Sequence, residues 1–192
     1  MKIIIQDLAV EYRDEGSGPV MLLLHGWQDN LHTFDSLVPL LSSDHRIVRL
    51  DLPGFGESEM PRAAWRMDDY AKFVANFVNK LEVRVDVMAG HSFGGRIILK
   101  GMAEKIFDAR KVILIASAGI AERNMFRNIF FRVLAKIGRL TTAVPPFTLL
   151  RGPLQKRLYR RLGSDYLLAG ALKEIFLNII NEDLTASAKA IV

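Results

Sequence analysis

The pentapeptide Gly90-His91-Ser92-Phe93-Gly94 follows directly on the apolar run Val85-Asp86-Val87-Met88-Ala89 and leads into a stretch of helical character, Phe93–Met102. When a strand reverses into a helix this sharply, neighbouring backbones approach so closely that the flanking positions must be small. Gly90 and Gly94 supply that room, and Gly95 extends it. Such a turn holds Ser92 in a strained conformation and presents its Oγ above the strand ends, where a nucleophile belongs. A serine hydroxyl is a poor nucleophile near neutrality unless an imidazole takes its proton. The four histidines are His25, His32, His45 and His91, so none follows the serine. Chains with this turn bring their partners in the order serine, acid, histidine. The sequence therefore predicts a nucleophile whose base and acid are not among these residues.

Around this turn, short apolar runs alternate with helical patterns up to about residue 119, which predicts a mostly parallel α/β sheet. The expected strands are Lys2–Gln6, Ala9–Arg13, Val20–Leu24, Arg46–Leu50, Val85–Ala89 and Lys111–Ala116. The third, fifth and sixth are almost continuously apolar, as strands buried on both faces are. Thr33–Leu41 and Asp68–Leu81 read as amphipathic helices, the second with Tyr70, Phe73, Val74, Phe77 and Leu81 on one face. Beyond Gly119 the strands stop, and basic amphipathic segments run to Ile180, broken at Gly138, Pro145-Pro146 and Gly163. This predicts a helical insertion with a bend at the proline pair. Asn181 to Thr185 reads as a turn, with Asp183 or Thr185 capping a short final helix.

Two further motifs end strands. His25-Gly26-Trp27 closes the run Val20–Leu24. A tetrahedral acyl intermediate needs two backbone N–H donors, one from the residue after the nucleophile and one from the loop after an earlier strand. Phe93 and Trp27 are the expected donors, with Gly26 letting the backbone turn toward the site. His25 is expected to brace that loop, and His91 to be structural or to line the pocket. Asp51-Leu52-Pro53-Gly54-Phe55-Gly56-Glu57-Ser58 follows Arg46–Leu50 as a tight loop. Asp51 reads as its organiser through backbone N–H groups rather than as a catalytic acid.

His-Gly-Trp, Asp-Leu-Pro-Gly-Phe-Gly-Glu-Ser and Gly-His-Ser-Phe-Gly-Gly, in this order, resemble the α/β-hydrolase superfamily. The resemblance covers residues 1–119, the N-terminal part of the core. Residues 120–180 are similar to the helical cap many members insert, and 181–192 to the start of the return to the last core strands. It implies a sheet of about six strands flanked by helices, Ser92 as nucleophile, Phe93 and Trp27 as oxyanion donors, and a cap supplying much of the pocket. His25, Gly26, Gly90, His91 and Gly94 are the expected loop supports. Serine at the elbow speaks against a dehalogenase-type member, which carries Asp there. Members place the acid and the histidine after two further strands, and this chain ends about where the first should begin. Without those strands Lys111–Ala116 is expected at an open, apolar sheet edge with only Lys111 to discourage pairing. Were the acid to follow the sixth strand directly, as in some members, only Glu122 is available there, and without a histidine it has nothing to orient.

The expected function is a serine hydrolase cleaving an ester or related acyl bond through an acyl-enzyme on Ser92, inactive as this chain alone. Asp and His would come from a second segment or chain. The alternative is a non-catalytic binding module of the same fold. No cofactor is expected. Cysteine is absent, which removes disulfides and thiolate metal sites. The N-terminus turns polar too early for a signal peptide and no run approaches the roughly 20 apolar residues of a membrane span, so a cytoplasmic protein is the default. Residues 1–119 carry 14 Lys/Arg against 16 Asp/Glu, and residues 120–192 carry 12 against 5. That basic half reads as a solvated helical face. A rival is membrane docking by Arg123–Arg139. Aromatics are not interleaved with the basic residues, so no nucleic acid partner is expected.

Overall fold

The structure, a computed structural model, describes residues 1–117 and 172–191. Six strands form one sheet: β1 (Lys2–Ile5), β2 (Leu8–Glu15), β3 (Val20–Leu24), β4 (Arg46–Leu50), β5 (Val85–His91) and β6 (Lys111–Ile115). Their spatial order is β1-β2-β4-β3-β5-β6. β1 and β2 pair antiparallel, as do β2 and β4, while β3, β4, β5 and β6 run parallel. Every residue of β3 is buried, as its unbroken apolar run requires of a central parallel strand. One face carries a core of Met21, Leu23, Phe34, Val38, Ile47, Val87 and Ala89.

The helices obey the pattern where it is long and depart where proline intervenes. α2 (Met67–Lys80) buries Tyr70, Phe73, Val74 and Phe77 on one face, and Asp69 reaches back to accept the Arg66 N–H at 2.8 Å. It packs on α3 (Phe93–Ala103), which lies against β3, β5 and β6. The continuous helix expected over Thr33–Leu41 does not form. A 3₁₀ turn, Leu31–Phe34, capped by the Asn30 side chain, is followed by a separate short helix, α1 (Val38–Leu41). Pro39 is the cause: it lacks the N–H that would bond back one turn, its ring crowds that carbonyl, and it is welcome only at the start of a new helix.

β6 has the apolar run of a strand buried on both faces, and it lies where the sequence expects an open edge: it pairs with β5 alone among the described residues and leaves Ile113, Leu114 and Ile115 exposed at 45%, 41% and 39%. Periodicity records that a strand is apolar, not whether a neighbour covers it.

Two compact units divide the chain: Met1–Ile120 with Glu174–Val192, and Ala121–Lys173. Residues 118–171 lie outside the described residues, and with them Glu122, the segment Arg123–Arg139, the Pro145-Pro146 bend and most of the expected cap. In the first unit, α4 (Lys173–Asn181) leads through a turn to α5 (Thr185–Ala190), which packs on α3. Asp183 Oδ1 accepts from the Thr185 N–H at 2.9 Å and its hydroxyl at 2.6 Å, fixing the turn the sequence anticipated, but the N-cap position of α5 is Leu184 rather than Asp183 or Thr185. Among the described residues no helix is long and apolar enough to cross a membrane.

Candidate active site

The site is built at the carboxyl ends of the parallel strands. β5 ends at His91, α3 begins at Phe93, and Ser92 alone makes the reversal with φ 47° and ψ −101°. A non-glycine residue there is strained, and hydrogen bonds on both sides hold it. The Ser92 N–H donates to Ile115 O at 2.9 Å, and Ser92 O accepts from the Arg96 N–H at 3.2 Å. The two flanking glycines are required by contact. A Cβ on Gly90 would lie 2.5 Å from Gly94 C and from Gly95 N, and one on Gly94 would lie 2.1 Å from Leu24 O.

The His25–Trp27 loop faces this turn. The Gly94 N–H donates to His25 O at 3.0 Å, so the first turn of α3 is fastened to the end of β3. His25 is fully buried. Its Nδ1 lies 2.7 Å from Gly26 O, and its Nε2 accepts the Leu52 N–H at 2.9 Å. Since a carbonyl only accepts, the proton sits on Nδ1 and the ring is neutral. Burial pushes its pKa below the ordinary histidine value, outweighing the Gly26 hydrogen bond and the Asp51 charge. Both nitrogens are engaged by backbone, so His25 ties this loop to the next. Gly26 lies against the His91 ring, with the position of a Cβ 2.8 Å from His91 Nδ1 and 3.7 Å from Ser92 Cβ.

Asp51 organises the second loop. Its Oδ1 accepts the Leu31 N–H at 2.7 Å, its Oδ2 accepts the Glu57 N–H at 2.8 Å, and its carbonyl accepts the Ser58 hydroxyl at 2.7 Å. Gly56, at φ 53°, makes room, because a Cβ there would meet Asp51 Oδ2 at 2.0 Å. Tyr70, from α2, donates to Pro53 O at 3.0 Å.

An aromatic cluster covers the loops. Trp27 packs on Phe55, Phe93 and Phe176 with ring centroids at 4.9, 5.5 and 5.2 Å, and Tyr70 meets Phe93 at 5.0 Å. Phe176 was not anticipated as part of the site, because its place 84 residues after Ser92 leaves no local signal. Arg49, buried in β4, was also missed. It pairs with Glu15 and Asp35 and donates to Leu31 O, anchoring the chain that follows the His25–Trp27 loop.

Among the described residues no histidine hydrogen-bonds Ser92. His25 is spent on backbone, and His32 pairs with Asp35 at 2.8 Å. His45 and His91 each have a buried Nδ1 without a partner. No group of His, Cys, Asp and Glu among the described residues could hold a metal ion. The arrangement brings together a strained serine, two backbone segments facing it and a neutral bracing histidine.

Comparison with known proteins gives a consistent answer. The model of a family described as alpha/beta hydrolase family matches residues 21–180. The chain is 34% identical over 105 residues to the uncharacterized hydrolase YugF of Bacillus subtilis, covering 54% of this chain and 38% of that protein. A crystal structure of a membrane phospholipase A superposes with a TM-score of 0.61 at 30% identity, over 65% of this chain and 41% of that one. That of E-2-(acetamidomethylene)succinate hydrolase gives 0.59 at 28%, over 70% and 50%. This chain thus spans half or less of each of these proteins.

Proposed function

From the membership of this chain in the alpha/beta hydrolase family, we propose that it carries the nucleophile half of a serine hydrolase acting on an acyl bond of a small molecule, a carboxylic ester first of all. The observation that carries the proposal is the backbone of Ser92, strained at φ 47° between β5 and α3 and fastened through Gly94 to the His25–Trp27 loop. A purely structural turn has no need of that strain.

Ser92 Oγ attacks the carbonyl carbon, its proton passing to an imidazole. The oxygen that becomes negative is met by the Phe93 and Trp27 N–H groups, each such donor worth about 3 kcal/mol of barrier. Collapse releases the alcohol, which takes the proton, and water then repeats the sequence on the acyl-enzyme. Among the described residues no histidine hydrogen-bonds Ser92, so this reading takes the imidazole and its orienting carboxylate from a second segment or chain. His25, Gly26, Gly90, His91 and Gly94 shape the loops and do not react.

The test is labelling by a fluorophosphonate of the protein as its own gene encodes it, followed by mapping of the modified peptide. The expected result is an adduct on Ser92 that is lost in Ser92→Ala. A folded protein that leaves Ser92 unlabelled would overturn the proposal and favour a binding module of the same fold.

A further inference from the structure

Arg96 is a buried cation that the proposed chemistry does not use. It lies one turn into α3, its N–H donating to Ser92 O. Its guanidinium reaches the end of α4, with Nη2 at 2.5 Å from Ile179 O and 2.7 Å from Glu182 O. Carbonyls that end a helix have no partners within it and carry partial negative charge, so a cation held against them is favoured. Lys100, one turn further along α3, pairs with Glu182 at 2.9 Å. The elbow helix therefore grips the C-terminus of α4 with two cations.

The other end of the grip matters more. Phe176 of α4 packs on Trp27 with centroids 5.2 Å apart, and Asn178 donates to Ala64 O and Trp65 O at 3.1 and 3.3 Å. Among the described residues neither the main-chain N–H nor the indole N–H of Trp27 has a hydrogen-bond partner. Gly26 on one side has no side chain to fix the backbone, and Gln28 on the other sits at φ 54°, a strained value for a residue other than glycine. Among the described residues Trp27 is held by ring packing on Phe55, Phe93 and Phe176, and of these three Phe176 comes from outside residues 1–117.

We propose that Arg96 is a positioning residue: by holding the C-terminal carbonyls of α4 it seats Phe176 on Trp27 and so fixes the main-chain N–H of Trp27. Its consequence for rate rests on the reading of that N–H as an oxyanion donor. Its consequence for structure does not.

The two are separated by measuring amide hydrogen exchange and fluorophosphonate labelling on the same preparations of wild type, Arg96→Met, Arg96→Lys, Phe176→Ala and the Arg96→Met/Phe176→Ala double variant. Arg96→Met should speed exchange in residues 174–191 and also in residues 25–30. Phe176→Ala should speed exchange in 25–30 while 174–191 stay protected. Each should slow Ser92 labelling by up to about 100-fold, the cost of a donor misplaced by about 1 Å. The double variant should be no slower than Arg96→Met, because both act through one contact, and Arg96→Lys should recover part of the rate. Loosened 174–191 with unchanged exchange in 25–30 would reduce Arg96 to an anchor and overturn the proposal. A Phe176→Ala protein with unchanged exchange in 25–30 would do the same, even if Arg96→Met fails to fold. If wild type does not label at all, the nucleophile reading fails and the exchange data still decide the coupling.

Discussion

Replacing Gly94 by alanine sets two effects of opposite sign against each other at one atom. In an exposed helix the change would stabilise, by up to about 1 kcal/mol. Here the new Cβ would lie 2.1 Å from Leu24 O, 2.6 Å from Leu24 C and 2.7 Å from Leu24 Cβ. Ordinary contact begins near 3.4 Å. The start of α3 must therefore retreat from β3 by about 1 Å, a figure set by the packing distance between non-bonded atoms. Leu24 O is backbone in the middle of the sheet and cannot give way. Overpacking of this kind costs about 1–3 kcal/mol, and the retreat stretches the Gly94 N–H to His25 O bond, worth about 1 kcal/mol more. The clash wins, and Gly94→Ala should be less stable by about 1–3 kcal/mol, read from the urea midpoint at constant slope. The same 1 Å displaces Ser92 from the facing loop, so labelling should slow by about 100-fold. A variant as stable as wild type, with the same labelling rate, would refute the argument that close approach, rather than turn conformation alone, sets this glycine.

Three other outcomes are expected. Tyr70→Phe leaves the buried Pro53 O without its donor and should cost about 1–3 kcal/mol in urea unfolding; a neutral result would mean that water replaces the hydroxyl. His25 titrates below its unfolded value because of burial, so the unfolded chain binds the extra proton first. Its contribution to stability is therefore full above the unfolded pKa of about 6.5 and is lost as pH falls through that value toward the folded pKa. Urea midpoints should drop between neutral and mildly acidic pH in wild type, and drop less in His25→Asn. The exposed β6 edge, with Ile113, Leu114 and Ile115 at its surface, should drive self-association of the 192-residue chain; light scattering should show Ile113→Lys shifted toward monomer.

Much of the fold is legible in the sequence because its signals are local. An unbroken apolar run identifies Val20–Leu24 as a central strand, and the apolar spacing of Tyr70, Phe73, Val74 and Phe77 identifies α2, with each boundary one residue from its expected place. The glycine spacing around Ser92 announces a sharp strand-to-helix turn, since only that turn needs small residues on both sides. Where local signals compete, the reading fails: apolar spacing over Thr33–Leu41 looks helical, and Pro39 divides it into two pieces.

By itself, then, the sequence determined the α/β alternation, the turn at Ser92 and the absence of any histidine after it. These depend on residue types at short spacing. The tertiary structure decided what distant residues do to one another. It tied both nitrogens of His25 to backbone and carried Phe176 onto Trp27 with Arg96 holding its helix. Contacts between segments 80 or more residues apart leave no periodicity in the chain, because their geometry is set by packing after the elements have formed.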